Sequence, residues 1–74
     1  SRSAFAEIFK TVTGTTPSAY LTDWRLTLAS TLLRAGQPQK LVAAELGFST
    51  ASSLSRAFKQ RFATSPREWL AAQS

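Results

Sequence analysis

Ser52, Ser55, Arg56 and Lys59 follow an i, i+3, i+4, i+7 spacing, which puts them on one face of a helix, opposite Leu54, Phe58 and Phe62. Short hydroxyls beside long cations suit contact with a polyanion whose edges offer hydrogen-bonding groups. An arginine can donate through two N–H groups to O6 and N7 of a guanine. A serine can donate or accept at base edges and phosphates, and a lysine neutralises a phosphate. Thr50 and Ala51 open the same segment, and Arg61 and Arg67 follow it. In this reading Arg56 and Ser52 carry base readout, while Lys10, Lys59, Arg61 and Arg67 position the chain on phosphates.

Other chemistries lack their residues. With no Cys and no His there is no thiolate nucleophile, no zinc finger and no usual general base. The four acids are Glu7, Asp23, Glu45 and Glu68, and the two in the C-terminal half stand 23 residues apart, which offers no carboxylate pair. Ser and Thr are numerous, but without His or a partnered Lys none is a credible nucleophile. The expectation is a protein that is not an enzyme and uses no metal and no cofactor. Nine Lys and Arg against four acids give a net charge of +5, and no acid lies between Glu45 and Glu68, so the positive field belongs to the C-terminal half. Seventy-four residues, 43% of them apolar, describe one small domain with a thin core. Apolar runs of at most four residues fall far short of the roughly 20 needed to span a bilayer, and the N-terminus has no signal-peptide pattern.

An internal repeat organises the elements. At an offset of 49 residues, positions 1–21 align with 50–70, with six identities: Ser3/Ser52, Phe9/Phe58, Lys10/Lys59, Thr15/Thr64, Pro17/Pro66 and Leu21/Leu70. Tyr20/Trp69, Phe5/Leu54 and Thr16/Ser65 keep their character. Each copy reads as a helix, a short turn and a new helix. Ser1 and Thr50 are the expected N-caps of the paired helices, and Thr16 and Ser65 cap the next ones, with Pro17 and Pro66 at the first helical position. Ser65 and Glu68 form a capping box. Tyr20, Leu21, Trp24, Leu28 and Leu32 predict an amphipathic helix from Pro17 to about Ala35, ended by Gly36. A shorter helix runs from about Pro38 to Leu46 and stops at Gly47. Nothing reads as strand, so the predicted fold is all-α.

Leu41, Val42, Ala43, Leu46, Gly47, Phe48, Leu54 and Phe58 have the layout of a helix-turn-helix: Ala43 lets two helices approach, Gly47 supplies a left-handed turn, and Leu54 and Phe58 anchor the second helix. The repeat gives the first copy the equivalent stripe Ser3, Ala6, Glu7 and Lys10, with Arg2 at its start. Glu7 is discordant, because a carboxylate repels phosphate, so the N-terminal copy should bind more weakly or read a different base. Between the copies, about 19 helical residues span roughly 28 Å, near the ~34 Å between successive major-groove entries on one face of B-DNA.

These residues together resemble the DNA-binding domain of the AraC/XylS family of bacterial transcription regulators. The resemblance rests on Ser1-Arg2-Ser3-x-Phe5-x-x-x-Phe9-Lys10, on Gly14-x-x-Pro17-x-x-Tyr20-Leu21-x-x-x-Arg25-Leu26-x-x-Ala29-x-x-Leu32-Leu33, and on Val42-Ala43-x-x-x-Gly47-Phe48. It continues through Ser52-x-Leu54-Ser55-Arg56-Ala57-Phe58-Lys59, Phe62 and Ser65-Pro66. It implies two homeodomain-like helix-turn-helix units joined by a linker helix, the second complete and the first reduced to its recognition helix. The expected division is 1–16 for the end of the first unit, 17–36 for the linker helix and 37–74 for the second unit. It further implies that base-reading helices run from Arg2 to Thr11 and from Ala51 to Arg61. Arg2, Ser3, Ala6, Glu7, Ala51, Ser52, Ser55 and Arg56 would then face double-stranded DNA. By the same resemblance the chain is a fragment of a cytoplasmic, nucleoid-associated regulator, with an effector or dimerisation domain on its N-terminal side and RNA polymerase as a further partner. Ala63 departs from the family, which usually places Gly there. An alanine in a left-handed cap costs about 1 kcal/mol.

Several positions are expected to be structural: Phe5, Phe9, Leu54, Phe58 and Phe62 as core, and Trp24 and Trp69 likewise. Arg25 is expected to pair with Asp23 or Glu45 inside the domain rather than to contact phosphate; Arg34 and Lys40 sit near helix ends where cations favour the dipole, with phosphate contact as the alternative. With no helix packed before it, the first copy should leave part of the face of Phe5, Ile8 and Phe9 uncovered. The competing functional reading is a basic helical protein-interaction module that binds an acidic partner such as a polymerase subunit.

Overall fold

A computed structural model describes residues 1–73, and among them the chain is all helical: α1 (Arg2–Thr13), α2 (Pro17–Arg34), α3 (Gln39–Glu45), α4 (Ala51–Phe62) and α5 (Pro66–Ala72). Each predicted helix is present, with ends displaced by one or two residues. The boundaries follow from caps. The hydroxyl of Ser1 accepts from the Ala4 amide at 3.2 Å, and that of Thr16 from the Ala19 amide at 3.1 Å. Pro17 and Pro66 stand in the first turns of α2 and α5, where a missing N–H costs nothing. The capping box at the start of α5 is formed: the Glu68 amide donates to Ser65 Oγ at 3.1 Å, and the Ser65 amide donates to Glu68 Oε1 at 3.4 Å.

Glycine ends α2 and α3 by the same device. After α3, Phe48 N–H reaches the Ala43 carbonyl at 2.9 Å and Gly47 N–H the Ala44 carbonyl at 3.3 Å, with Gly47 at φ 86°. This paired arrangement is a Schellman motif, and it satisfies carbonyls the helix would otherwise leave open. Gly36 closes α2 through the same two bonds, donated by Gly36 and Gln37 to Leu33 and Leu32. At the end of α4 the left-handed position falls on Ala63, at φ 62°, whose N–H donates to the Lys59 carbonyl at 2.8 Å.

The buried core consists of Leu26, Ala29 and Leu33 from α2, Val42 and Ala43 from α3, and Leu54 and Phe58 from α4. Leu32, Leu46, Phe48, Ala57, Phe62, Trp69 and Leu70 pack around it. This corrects the expected buried stripe of α2. Tyr20, Leu21 and Trp24 are exposed, Trp24 by 55%, because the face that meets α3 and α4 is the one carrying Leu26, Ala29 and Leu33. Trp69 packs on the core as expected, and Trp24 does not. Leu41 is also exposed, on the outer side of α3 beside buried Val42 and Ala43. Phe5 and Ile8 are 60% and 64% exposed, so Phe5 is not core, and the uncovered face expected on the first copy is present.

The repeat survives in three dimensions at the level of single rings. Phe58 meets Trp69 edge-on at 5.7 Å between centroids, and the equivalent Phe9 meets Tyr20 edge-on at 5.5 Å. Gly14, the counterpart of Ala63, takes the same left-handed backbone at φ 79° and donates to Lys10, the counterpart of Lys59. Both copies therefore turn from one helix into the next through one geometry. Among the described residues, α3 packs on the inner face of α4, and α1 has contacts with α2.

Candidate nucleic-acid interface

α4 presents two chemically distinct faces. Leu54 and Phe58 are fully buried against α2 and α3, while Ser52, Arg56 and Lys59 on the opposite side are exposed and Ser55 is half-buried. The spacing read from the sequence thus places hydroxyls and cations together, on the side of α4 away from the core. Thr50 lies outside the helix and serves it: its hydroxyl accepts from the Ser53 amide at 3.0 Å, and the Ser53 hydroxyl accepts from the Thr50 amide at 3.3 Å. This capping box has Ser where Glu or Gln is usual, and the usual pattern does not reveal it. Ala51 is half-buried at the first turn.

The remaining cations fall into separate settings. Arg61 does not stand free: its Nε donates to Asp23 Oδ1, the single ion pair among the described residues, and its guanidinium lies 4.9 Å from the centre of the Phe62 ring. The partner expected for Asp23 was Arg25, which is half-buried on the same helix and makes no ion pair in the structure. α4 approaches α2 closely enough that its last turn reaches Asp23, a contact 38 residues apart in the chain that sequence spacing does not reveal. Arg34 lies 5.4 Å over the Trp69 ring, so it covers the core edge. Arg67 is exposed on α5. Lys40 lines, with Ser49, Thr50 and Ala51, a groove between α3 and the start of α4.

α1 carries the first-copy set on a separate helix. Arg2, Ser3, Glu7 and Lys10 are exposed and Ala6 is half-buried, so the equivalent stripe faces outward here too. α2 joins the two stripes within a body about 43 Å long. The Ser65 hydroxyl, followed by the Ser65 amide, holds the Glu68 carboxyl below the ordinary glutamate range. That shift belongs to a helix cap, not to a site of acid–base chemistry.

One further polar contact joins residues that no spacing pattern pairs. Gln39, the first residue of α3, donates from Nε2 to the carbonyl of Ala51 at 3.1 Å, in a partly buried setting.

A short helix, a glycine turn and a second helix whose inner face is buried and whose outer face bears hydroxyls and cations define a helix-turn-helix domain. The helix-turn-helix domain family matches residues 1–72. The chain belongs to that family, in its AraC type, a family of DNA-binding domains of transcription regulators. It is 39% identical over 70 residues to the RCS-specific HTH-type transcriptional activator RclR of Escherichia coli K12, covering 93% of this chain and 25% of that protein. It is 40% identical over 70 residues to the HTH-type transcriptional regulator AlkR of Acinetobacter baylyi, covering 93% of this chain and 23% of that protein. A Streptomyces antibioticus protein described as an AraC-like transcription regulator is 39% identical over the same length, with 23% of it covered. The chain thus spans about a quarter of the length of these curated relatives. No solved structure matches the chain to a significant degree. Among the described residues no helix is long and apolar enough to cross a membrane.

Proposed function

We propose that this chain binds duplex DNA sequence-specifically as the DNA-binding part of a bacterial transcription regulator, with α4 lying in a major groove. The observation that carries this reading is the outward stripe of Ser52, Arg56 and Lys59, backed by Leu54 and Phe58 buried against α3 and α2. Arg56 and Ser52 read bases, Ser55 and Ala51 shape the contact, and Lys59 and Arg67 hold phosphates. α1 addresses a neighbouring groove through Arg2, Ser3, Ala6, Glu7 and Lys10, more weakly because of Glu7. α2 sets the separation, since its 18 residues extend about 27 Å. In this reading residues 1–16 close one unit, 17–36 link and 37–74 form the second unit. The role is non-enzymatic and the setting is cytoplasmic, at the nucleoid. Further domains and RNA polymerase are partners of the longer protein.

The test is a fluorescence-anisotropy titration with duplexes selected from a random pool by the chain itself, and with unselected duplexes, at several salt concentrations. Arg56→Ala should weaken the selected duplexes by about 5- to 150-fold, the worth of one bidentate base contact, and the unselected ones far less. The logarithm of affinity should fall with that of salt, by roughly 0.9 for each phosphate neutralised. A helical chain that ignores duplex DNA at low salt, or binds every sequence alike, would overturn the proposal in favour of an acidic protein partner.

A further inference from the structure

Leu54 and Phe58 are the fully buried residues of α4, so the helix is pinned along its middle. The residues ahead of Leu54 that open the helix are less covered: Ser52 is exposed, and Ala51 and Ser53 are half-buried. The Thr50–Ser53 capping box joins the first turn only to itself. A polar tie from these residues to α3 comes from the side chain of Gln39, whose Nε2 donates to the Ala51 carbonyl at 3.1 Å across 12 residues of sequence. Among the described residues, the side-chain hydrogen bonds reaching beyond one helical turn are this bond and the Arg61–Asp23 pair, which joins the opposite end of α4 to α2.

The geometry is suited to setting an angle. Ala51 lies three residues before Leu54, about 4.5 Å along the axis, so the bond at Ala51 acts with buried Leu54 and Phe58 to fix the direction in which α4 leaves α3. Ser52 stands in the first turn of α4, and Ser55 and Arg56 follow in the next. The Ala51 carbonyl has two lone pairs, one for the helix's own N–H and one for Gln39. Gln39 is the first residue of α3, and its side-chain amide reaches across to α4.

We infer that Gln39 is a positioning residue: it holds the first turn of α4 against α3 and so sets the angle at which Ser52, Ser55 and Arg56 meet the bases. This rests on the DNA-reading role proposed above. A contact of this kind acts on specificity, because base readout tolerates about 0.5 Å or 10–20° of misplacement, while phosphate attraction tolerates far more.

The test uses the full chain, with duplexes selected by wild type beside random duplexes of the same length. Gln39→Met keeps the length of the side chain and removes the donor. Gln39→Glu removes it again, in case the first variant folds poorly. The expected result is a loss of roughly fivefold on selected duplexes, the worth of one neutral hydrogen bond, with random-duplex affinity and salt slope unchanged for Gln39→Met. Amide resonances of Ala51 to Ser55 should shift, while those of the α2 core stay in place. Equal losses on selected and random duplexes would mean that Gln39 touches the DNA backbone itself, and would overturn the inference. So would unchanged affinity for both. If wild type selects no sequence at all, the DNA-reading role fails first and takes this inference with it.

Discussion

Ala63 holds a backbone conformation that disfavours any side chain, and replacing it by glycine should stabilise the domain. At φ 62° its Cβ crowds the following carbonyl, a cost of about 1–2 kcal/mol for an L-residue. Glycine removes that cost but brings a more flexible unfolded chain, which returns about 0.4–1 kcal/mol. The methyl group of Ala63 is exposed, so its deletion opens no cavity. The net gain is about 0.5–1 kcal/mol, which for a domain of this size raises Tm by about 2–8 °C. Thermal unfolding followed by circular dichroism at matched concentration reads it directly. The converse change sits at the repeat's other copy. Around Gly14, at φ 79°, nothing lies within 4 Å of where a Cβ would stand, so Gly14→Ala should cost backbone strain alone, seen as faster amide exchange in the last turn of α1. An unchanged or lowered Tm for Ala63→Gly would show that the strain of the left-handed turn does not exceed the unfolded-state cost of glycine, and the reasoning would fail for both copies.

Four further outcomes follow from the same geometry. Phe58→Ala removes the largest fully buried side chain and should cost about 3–5 kcal/mol, comparable to the whole stability of a domain this small, so helical circular dichroism should be largely lost at 37 °C. Asp23→Asn should change stability by no more than about 1 kcal/mol, because the pair it breaks is half-exposed, and should strengthen binding to duplex DNA of every sequence by freeing Arg61, which anisotropy would detect. Acid should weaken α5: the carboxyl of Glu68 titrates lower in the fold than in the unfolded chain, so its stabilisation is present above the ordinary glutamate range and is lost as pH falls through the depressed value. Tm measured from neutral to acid pH for wild type beside Glu68→Gln, which caps without titrating, should show wild type losing its relative advantage only in that window. Finally, acrylamide should quench Trp24 strongly and Trp69 weakly, and Trp24→Phe should remove the readily quenched emission.

The parts of this fold that were legible in the sequence are those governed by local rules. Caps at Ser1, Thr16, Thr50 and Ser65, turns at Gly36 and Gly47 and the alternation of faces on α4 follow from neighbours within four residues. The structure places each of them as read. What escaped depends on which elements meet. Gln39 bonding Ala51, Arg61 bonding Asp23 and Arg34 covering Trp69 join residues 12, 38 and 35 positions apart, as their numbers show, and nothing in the spacing selects those partners.

α2 shows why its pattern misled. A helix that serves one core has one apolar stripe, and a periodicity argument assumes that. α2 carries apolar residues on two sides: Leu26, Ala29 and Leu33 turn into the core with α3 and α4, and Tyr20, Leu21 and Trp24 turn elsewhere. Read as one stripe, the aromatic and larger residues dominate, and the wrong side is taken as buried. The repeat supplies the physical reason. Tyr20 occupies in the first copy the place that Trp69 holds in the second, stacking edge-on against Phe9 as Trp69 does against Phe58. So the N-terminal part of α2 is to α1 what α5 is to α4, while the rest of α2 is a wall of the second core. A helix that packs on α1 near its start and on α3 and α4 further along carries two stripes, and a single-stripe reading finds only one of them.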